Sequence, residues 1–186
     1  KIEPDANFIP PHAGSNFKFS RDNWPLIPSK TIILDLEKIV LPKDTRYEIR
    51  KAEKNNLTIE QSGNIELFYK ILQETMKIGH WEIPIKKEVI NLWKSFQPNN
   101  SVILICHSEL VSGSLNLFEN SHSREMLRQA QHDTVPVAGC LLVWHGNTAH
   151  YMYAANTKQG RELGAAYLTL WEAIKFCQKK KLKYLD

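Results

Sequence analysis

Cysteine is scarce: Cys106, Cys140 and Cys177 are the only three in 186 residues. Odd in number, far apart and set among apolar neighbours, they argue against a disulfide framework or a cysteine-based zinc site. They fit buried thiols in a reducing compartment. Long apolar runs are missing as well. No stretch approaches the roughly 20 residues needed to cross a bilayer, and the sequence opens on no charged-then-apolar leader pattern. A cytoplasmic protein is the expectation. There is no Gly-x-Ser-x-Gly elbow, no Walker loop, and no His-x-Glu or Cys-x-x-Cys spacing. His107, His122 and His132 fall in a pattern-poor segment, and His145 and His150 flank a turn. Neither a metal nor a cofactor is expected, and a metal-free mechanism is the better fit.

What remains is an ordinary globular composition, 42% hydrophobic and 24% charged, in a chain long enough to bury one sizeable core. The net charge of +4 is uneven. Between His107 and Val135 two arginines face four acids, so the rest of the chain is distinctly basic. Such a remainder suits an anionic ligand: a nucleotide-sugar, a phospholipid headgroup or tRNA. The run Lys179-Lys-Lys-Leu-Lys183, taken alone, reads as a helix C-terminus whose cations complement the dipole.

Periodicity divides the chain into alternating elements. Residues 1–29 hold five prolines and read as an extended connector that docks Phe8, Phe17, Phe19 and Trp24. Residues 30–186 read as one domain. Its expected elements are a strand over Thr31–Leu36, a helix over Lys43–Asn55 and a short strand at Thr58–Gln61. Helices over Asn64–Ile78 and Lys86–Phe96 precede a strand at Ser101–Cys106. A hairpin, Val137–Trp144 and Thr148–Ala155, turns at His145-Gly-Asn147. The last helix, Leu163–Lys179, is expected to bury Leu163, Tyr167, Leu170, Trp171 and Ile174, and a strand begins at Leu185. The Ser-, Asn-, Gln- and His-rich stretch at about 107–135 breaks the pattern and reads as a flexible insertion at a hairpin tip.

Three groups of side chains attract chemistry. Lys43, Arg46, Arg50 and Lys54 recur at helical spacing and share one face, where guanidinium groups can grip phosphate oxygens bidentately. The same mixture, with Asp44, Glu48 and Glu53, also reads as a solvated face of i,i+4 ion pairs. Tyr151 and Tyr153 alternate along one strand and so share a side of the sheet, where phenols can orient a donor ester or sugar phosphate, or simply belong to the core. Lys158, just beyond, can neutralise phosphate or be solvated. Asp35 is a possible general base, although an apolar strand better suits a structural role.

The ordered blocks Thr31-Ile-Ile-Leu-Asp-Leu36, Thr45-Arg-Tyr-x-Ile-Arg-x-Ala-Glu-Lys54, Phe68-Tyr-Lys-Ile-Leu72, Ala149-His-Tyr-Met-Tyr-Ala-Ala155 and Leu168-Thr-Leu-Trp-Glu-Ala-Ile174 resemble the second, GNAT-like lobe of the FemAB-type peptidoglycan bridge aminoacyltransferases. Ile2-Glu-Pro4 and Trp24-Pro-Leu-Ile-Pro28 resemble the segment that leads into that lobe. The resemblance implies an α/β (α+β) fold, a mixed, largely antiparallel twisted sheet flanked by helices. It implies transfer of an amino acid from aminoacyl-tRNA to the peptide amine of a peptidoglycan precursor, either a muramyl-peptide nucleotide or a lipid-linked form. Arg46 and Arg50 would hold the precursor's phosphates from a face turned inward over a cleft beside the sheet. Tyr47 and Tyr151 would orient the reacting groups, and Tyr153 and Lys158 would add substrate contacts. The chain reads as part of a longer family member with a separate first lobe, and its insertion resembles a translated palindromic repeat. Arg161-Glu-Leu-Gly-Ala-Ala166 also matches the R/Q-x-x-G-x-G/A pattern by which GNAT acetyltransferases cradle coenzyme A. The alternative reading is therefore a coenzyme A-dependent N-acyltransferase, and a non-catalytic remnant is a third. The resemblance favours a plain helix start with Gly164 packed against the sheet, because the FemAB-type family does not use coenzyme A.

Overall fold

Ser101-Val-Ile-Leu-Ile-Cys106 has no polar alternation because both faces of its strand are covered. In the computed structural model, which describes residues 31–109 and 134–186, Val102 and Leu104 point to one apolar layer and Ile103 and Ile105 to the other. The elements in chain order are β1 (Leu34–Asp35), α1 (Lys43–Lys54), β2 (Thr58–Ser62), α2 (Ile65–Gly79), α3 (Lys86–Ser95) and β3 (Ser101–Glu109). They continue with β4 (Thr134–His145), β5 (Thr148–Asn156), α4 (Lys158–Leu163), α5 (Ala165–Lys179) and β6 (Tyr184–Leu185). Six strands form one sheet in the order β1-β6-β5-β4-β3-β2. Every neighbouring pair is antiparallel except β5 and β6. Helices α2 and α3 cover the face that carries Ile103, Ile105 and Leu141. Helix α5 covers the other, with Cys140, Leu142, Ala173, Ile174 and Cys177 in one cluster. Helix α1 lies on α5 and brings Ile49 and Ala52 against Ala165 and Leu168. Ile33–Asp186 make up one compact unit. The layout is the α/β, GNAT-type one the sequence implied.

Local chemistry sets most element ends. The Asn64 side chain accepts the Leu67 N–H at 2.9 Å and starts α2, and Thr157 accepts the Gly160 N–H at 3.0 Å to start α4, both as N-cap residues do. Gly146, at φ 58, turns the β4–β5 hairpin.

Four expectations need correction. The first strand is two residues long, because Asp35 accepts the Glu37 N–H at 3.1 Å and the chain turns there, carrying Leu36 into the core. The last helix is two helices, broken at Gly164 with φ 74. Its buried face is also rotated. Tyr167 and Leu170 are exposed, while Ala165, Thr169, Ala173 and Cys177 are buried. These four small side chains recur every fourth residue and let the helix lie close on the sheet. Thr169 satisfies its hydroxyl on the Ala165 carbonyl at 2.8 Å, so apolar weight alone misplaces the seam. The fourth correction concerns the flanks of the proposed insertion, which are paired strand: Ser108 faces Val135 and Glu109 faces Thr134. The insertion's interior, with His122 and His132, lies outside the described residues, as does the 1–29 connector with its aromatic side chains.

Candidate functional site

The basic helix forms, but its cations do not turn inward. Ile49 and Ala52 are the buried side of α1, and Arg46, Tyr47 and Arg50 are exposed on its surface. The seam explains this. Ile49 and Ala52 pack against Ala165 and Leu168, and a Cβ on Gly164 would be in ordinary contact with α1, 3.5 Å from the Ala52 Cβ and 3.9 Å from the Glu48 carbonyl. The Asn55 amide then ties the end of α1 to the Leu163 carbonyl at 3.0 Å. The side of α1 nearest the sheet is thus filled by small and aliphatic groups, leaving the guanidiniums toward solvent. Gly164 is explained by its left-handed backbone at φ 74, where it closes α4, rather than by packing against the sheet as expected.

Tyr151 and Tyr153 do not share a side. Leu141 pairs with Tyr153 while Leu142 pairs with Tyr151, so Met152 is an extra residue in β5. This β-bulge turns Tyr151 into the layer beneath α5 and Tyr153 into the layer beneath α2 and α3. Strict alternation fails at a bulge, where the pleat loses its two-residue period. Burial raises the Tyr151 phenol well above its ordinary value, and the Cys140 thiol beside it adds to the shift. Burial also raises Tyr153, helped by the charge of Glu88 on α3. At neutral pH both are protonated, so each can donate a hydrogen bond and neither can serve as a base. Asp35 is no better placed as one. Partial desolvation works to raise its carboxyl, but Lys38, at 3.2 Å, and the Glu37 N–H hold it below its ordinary value.

The end of β5 is closely held by its neighbours. Asn156 donates its backbone N–H to the Thr75 hydroxyl at 2.7 Å, and that hydroxyl donates to the Ile71 carbonyl at 2.8 Å. Strand β5 is thereby fixed to α2. Thr157 donates its N–H to the Val137 carbonyl at 2.9 Å. Gly160 lies against this corner so tightly that a Cβ would stand 2.2 Å from Asn156 Oδ1 and 2.3 Å from the Val137 carbonyl. Lys158 projects from the same corner and is exposed. β6 pairs with the start of β5, and the Tyr151 N–H reaches the Asp186 carbonyl at 2.8 Å. Beyond the bulge, Met152 and Ala154 are exposed.

Sequence reasoning missed Thr75, Gly160 and Glu88. Thr75 was visible as a polar residue on the apolar stripe of α2, whereas Gly160 lay ahead of the expected helix and gave no signal.

Residues 115–186 match the model of the FemAB family. The FemAB-type resemblance read from the sequence therefore stands, and the matched stretch takes in β4, β5, α4, α5 and β6. The fold is similar to that of FemX, with a TM-score of 0.67 at 13% identity, over 83% of this chain and 51% of FemX. It is also similar to the C-terminal DUF2156 domain of a putative lysylphosphatidylglycerol synthetase from Agrobacterium fabrum. There the TM-score is 0.52 at 8% identity, over 82% of this chain and 44% of that one. No curated protein sequence matches the chain. The chain spans about half the length of FemX. The likeness to FemX at this identity is one of fold. Among the described residues no helix is long and apolar enough to cross a membrane, and no group of three or more metal-ligating side chains gathers.

Proposed function

We propose that this chain is an acyltransferase lobe of the FemAB type, acting in the formation of peptidoglycan bridges. The match of the FemAB model to the stretch that builds the β5 corner is the observation that carries the reading. In the reaction the amine of a precursor peptide attacks the ester carbonyl of an aminoacyl-tRNA. A C–N bond forms, the ester C–O bond breaks to release the tRNA ribose hydroxyl, and the amine gives up a proton. Such chemistry needs positioning and a donor for the transient oxyanion more than a strong base.

Arg46 and Arg50, exposed one turn apart on α1, would take the diphosphate of the precursor, and Lys158, with Tyr153 on the other face of the sheet, would contact a different part of the substrates. Tyr151, held protonated by its burial, would donate a hydrogen bond, and Tyr47 would orient the ligand from the surface. A separate first lobe would complete the acceptor site.

Calorimetric titration separates the readings. A muramyl-pentapeptide nucleotide should bind, and coenzyme A should not. Binding of coenzyme A alone would favour the N-acyltransferase, and binding of neither a non-catalytic remnant.

A further inference from the structure

Three segments far apart in the sequence meet at one edge of the sheet. The Leu36 N–H bonds to the Lys183 carbonyl at 2.9 Å, and the Gln178 amide reaches the Leu36 carbonyl at 2.8 Å. The turn after β1 is thereby tied to the end of α5. The Lys183 and Tyr184 N–H groups both bond to the Asn147 carbonyl, at 2.8 and 3.2 Å, which brings in the tip of the β4–β5 hairpin.

The exposed side chains of this edge are of two kinds. Lys38, Lys179, Lys180, Lys181 and Lys183 all reach solvent. Against these cations, residues 35–40, 145–147 and 178–184 hold two acids, Asp35 and Glu37. Asp35 is engaged by Lys38, and among the described residues no carboxylate pairs with the other four lysines. The second kind is apolar. Val40, two residues past Lys38, is 84% exposed, Ile33 is 58% exposed and Tyr184 is 41% exposed. Strand β1 is the last in the sheet. Leu34 and Leu185 pair with each other and belong to the layer beneath α5. Alternation therefore turns Ile33 and Tyr184 together to the opposite face.

We propose that this edge docks on the surface of an anionic lipid bilayer. Headgroup phosphates meet the lysines, and Val40, Ile33 and Tyr184 enter the boundary between headgroups and acyl chains. Cations alone would suit any polyanion, so the aliphatic side chains decide the partner. Valine and isoleucine have no ring to stack on a base and gain nothing beside a phosphate backbone in water. At a lipid surface their burial adds to the electrostatic attraction, and stable attachment takes both kinds of signal. Lysine suits such a boundary because its aliphatic stem can lie along apolar groups while the ammonium stays among the phosphates. Tyrosine suits it for the same reason, with an apolar ring and a polar tip. The inference is independent of the acyltransferase reading, which concerns α1 and the β5 corner.

The test is flotation of the full chain with vesicles of phosphatidylcholine alone, or of equal parts phosphatidylcholine and phosphatidylglycerol, at low and high salt. Binding should need phosphatidylglycerol and weaken with salt. A variant carrying Lys179→Gln, Lys181→Asn and Lys183→Gln should bind about tenfold or more weakly. A second variant, Ile33→Thr/Val40→Ser, should also bind weakly, by about threefold or more, with its salt dependence kept. Circular dichroism checks that both fold, and asparagine tolerates the left-handed backbone of Lys181. An Arg46→Gln/Arg50→Gln variant should keep its vesicle affinity. Unchanged binding in the lysine variant would overturn the proposal, as would a loss of equal size in the arginine variant. Full affinity in the Ile33/Val40 variant, or displacement of the vesicles by an RNA hairpin or by millimolar inorganic phosphate, would show a plain polyanion site and overturn it too.

Discussion

At the scale of single residues, the strongest constraints are steric. Any side chain at Gly160 would meet the Val137 carbonyl and Asn156 Oδ1 inside van der Waals contact, and the backbone cannot give way as a flexible side chain can. Gly160→Ala should therefore cost about 2 kcal/mol or more, read as a lower urea midpoint with the slope unchanged. Lys181 lies on the opposite side of the balance. Lys181→Gly removes a Cβ from a left-handed position and should raise stability by about 0.5–1 kcal/mol. Glycine composition alone identifies neither position, since both effects depend on which atoms come close in three dimensions. Asp35 and Lys38, by contrast, were readable as a local pair three residues apart, and the structure joins them at 3.2 Å.

At the scale of elements, periodicity located α1, α2, α3 and the β4–β5 hairpin to within three residues of their ends. It failed where the repeat is interrupted or carried by small side chains. The bulge at Met152 put the two tyrosines on opposite faces, and nothing in Tyr151-Met-Tyr153 announces an extra residue. The seam of α5 includes Ala165, Thr169, Ala173 and Cys177 beside Leu168 and Ile174, and those four are smaller than the exposed Tyr167 and Leu170. A direct consequence is testable. Ala173→Leu should destabilise by about 1–3 kcal/mol through overpacking, whereas Tyr167→Gln should change the urea midpoint little. Equal effects of the two would mean that the seam lies elsewhere.

At the scale of the whole molecule, the cysteines behave as the sequence suggested, as core residues. All three are buried. Burial pushes the thiols of Cys106 and Cys140 from about 9 up to about 12, and that of Cys177 up to about 11. The unfolded chain would release these protons at lower pH than the folded one. Between pH about 9 and about 12 the folded state thus holds more protons than the unfolded, and stability should fall as pH rises through that window. Urea titrations at pH about 8 and about 10.5 would show it, with a smaller fall in Cys140→Ala. Architecture was legible from the order of elements and the FemAB-type blocks. The orientation of the basic helix was not, because it follows from Ile49 and Ala52 meeting Ala165 and Leu168 across more than a hundred residues of sequence.

That exposed helix is also where the functional reading is most open to test. Titration of a muramyl-pentapeptide nucleotide into the full chain and into Arg46→Gln/Arg50→Gln measures it directly. We expect the paired substitution to weaken binding about 30-fold, roughly 2 kcal/mol for two charge-assisted contacts, with the thermal midpoint unchanged. Equal affinity in the two proteins, or no affinity in either, would contradict a phosphate-gripping role for α1.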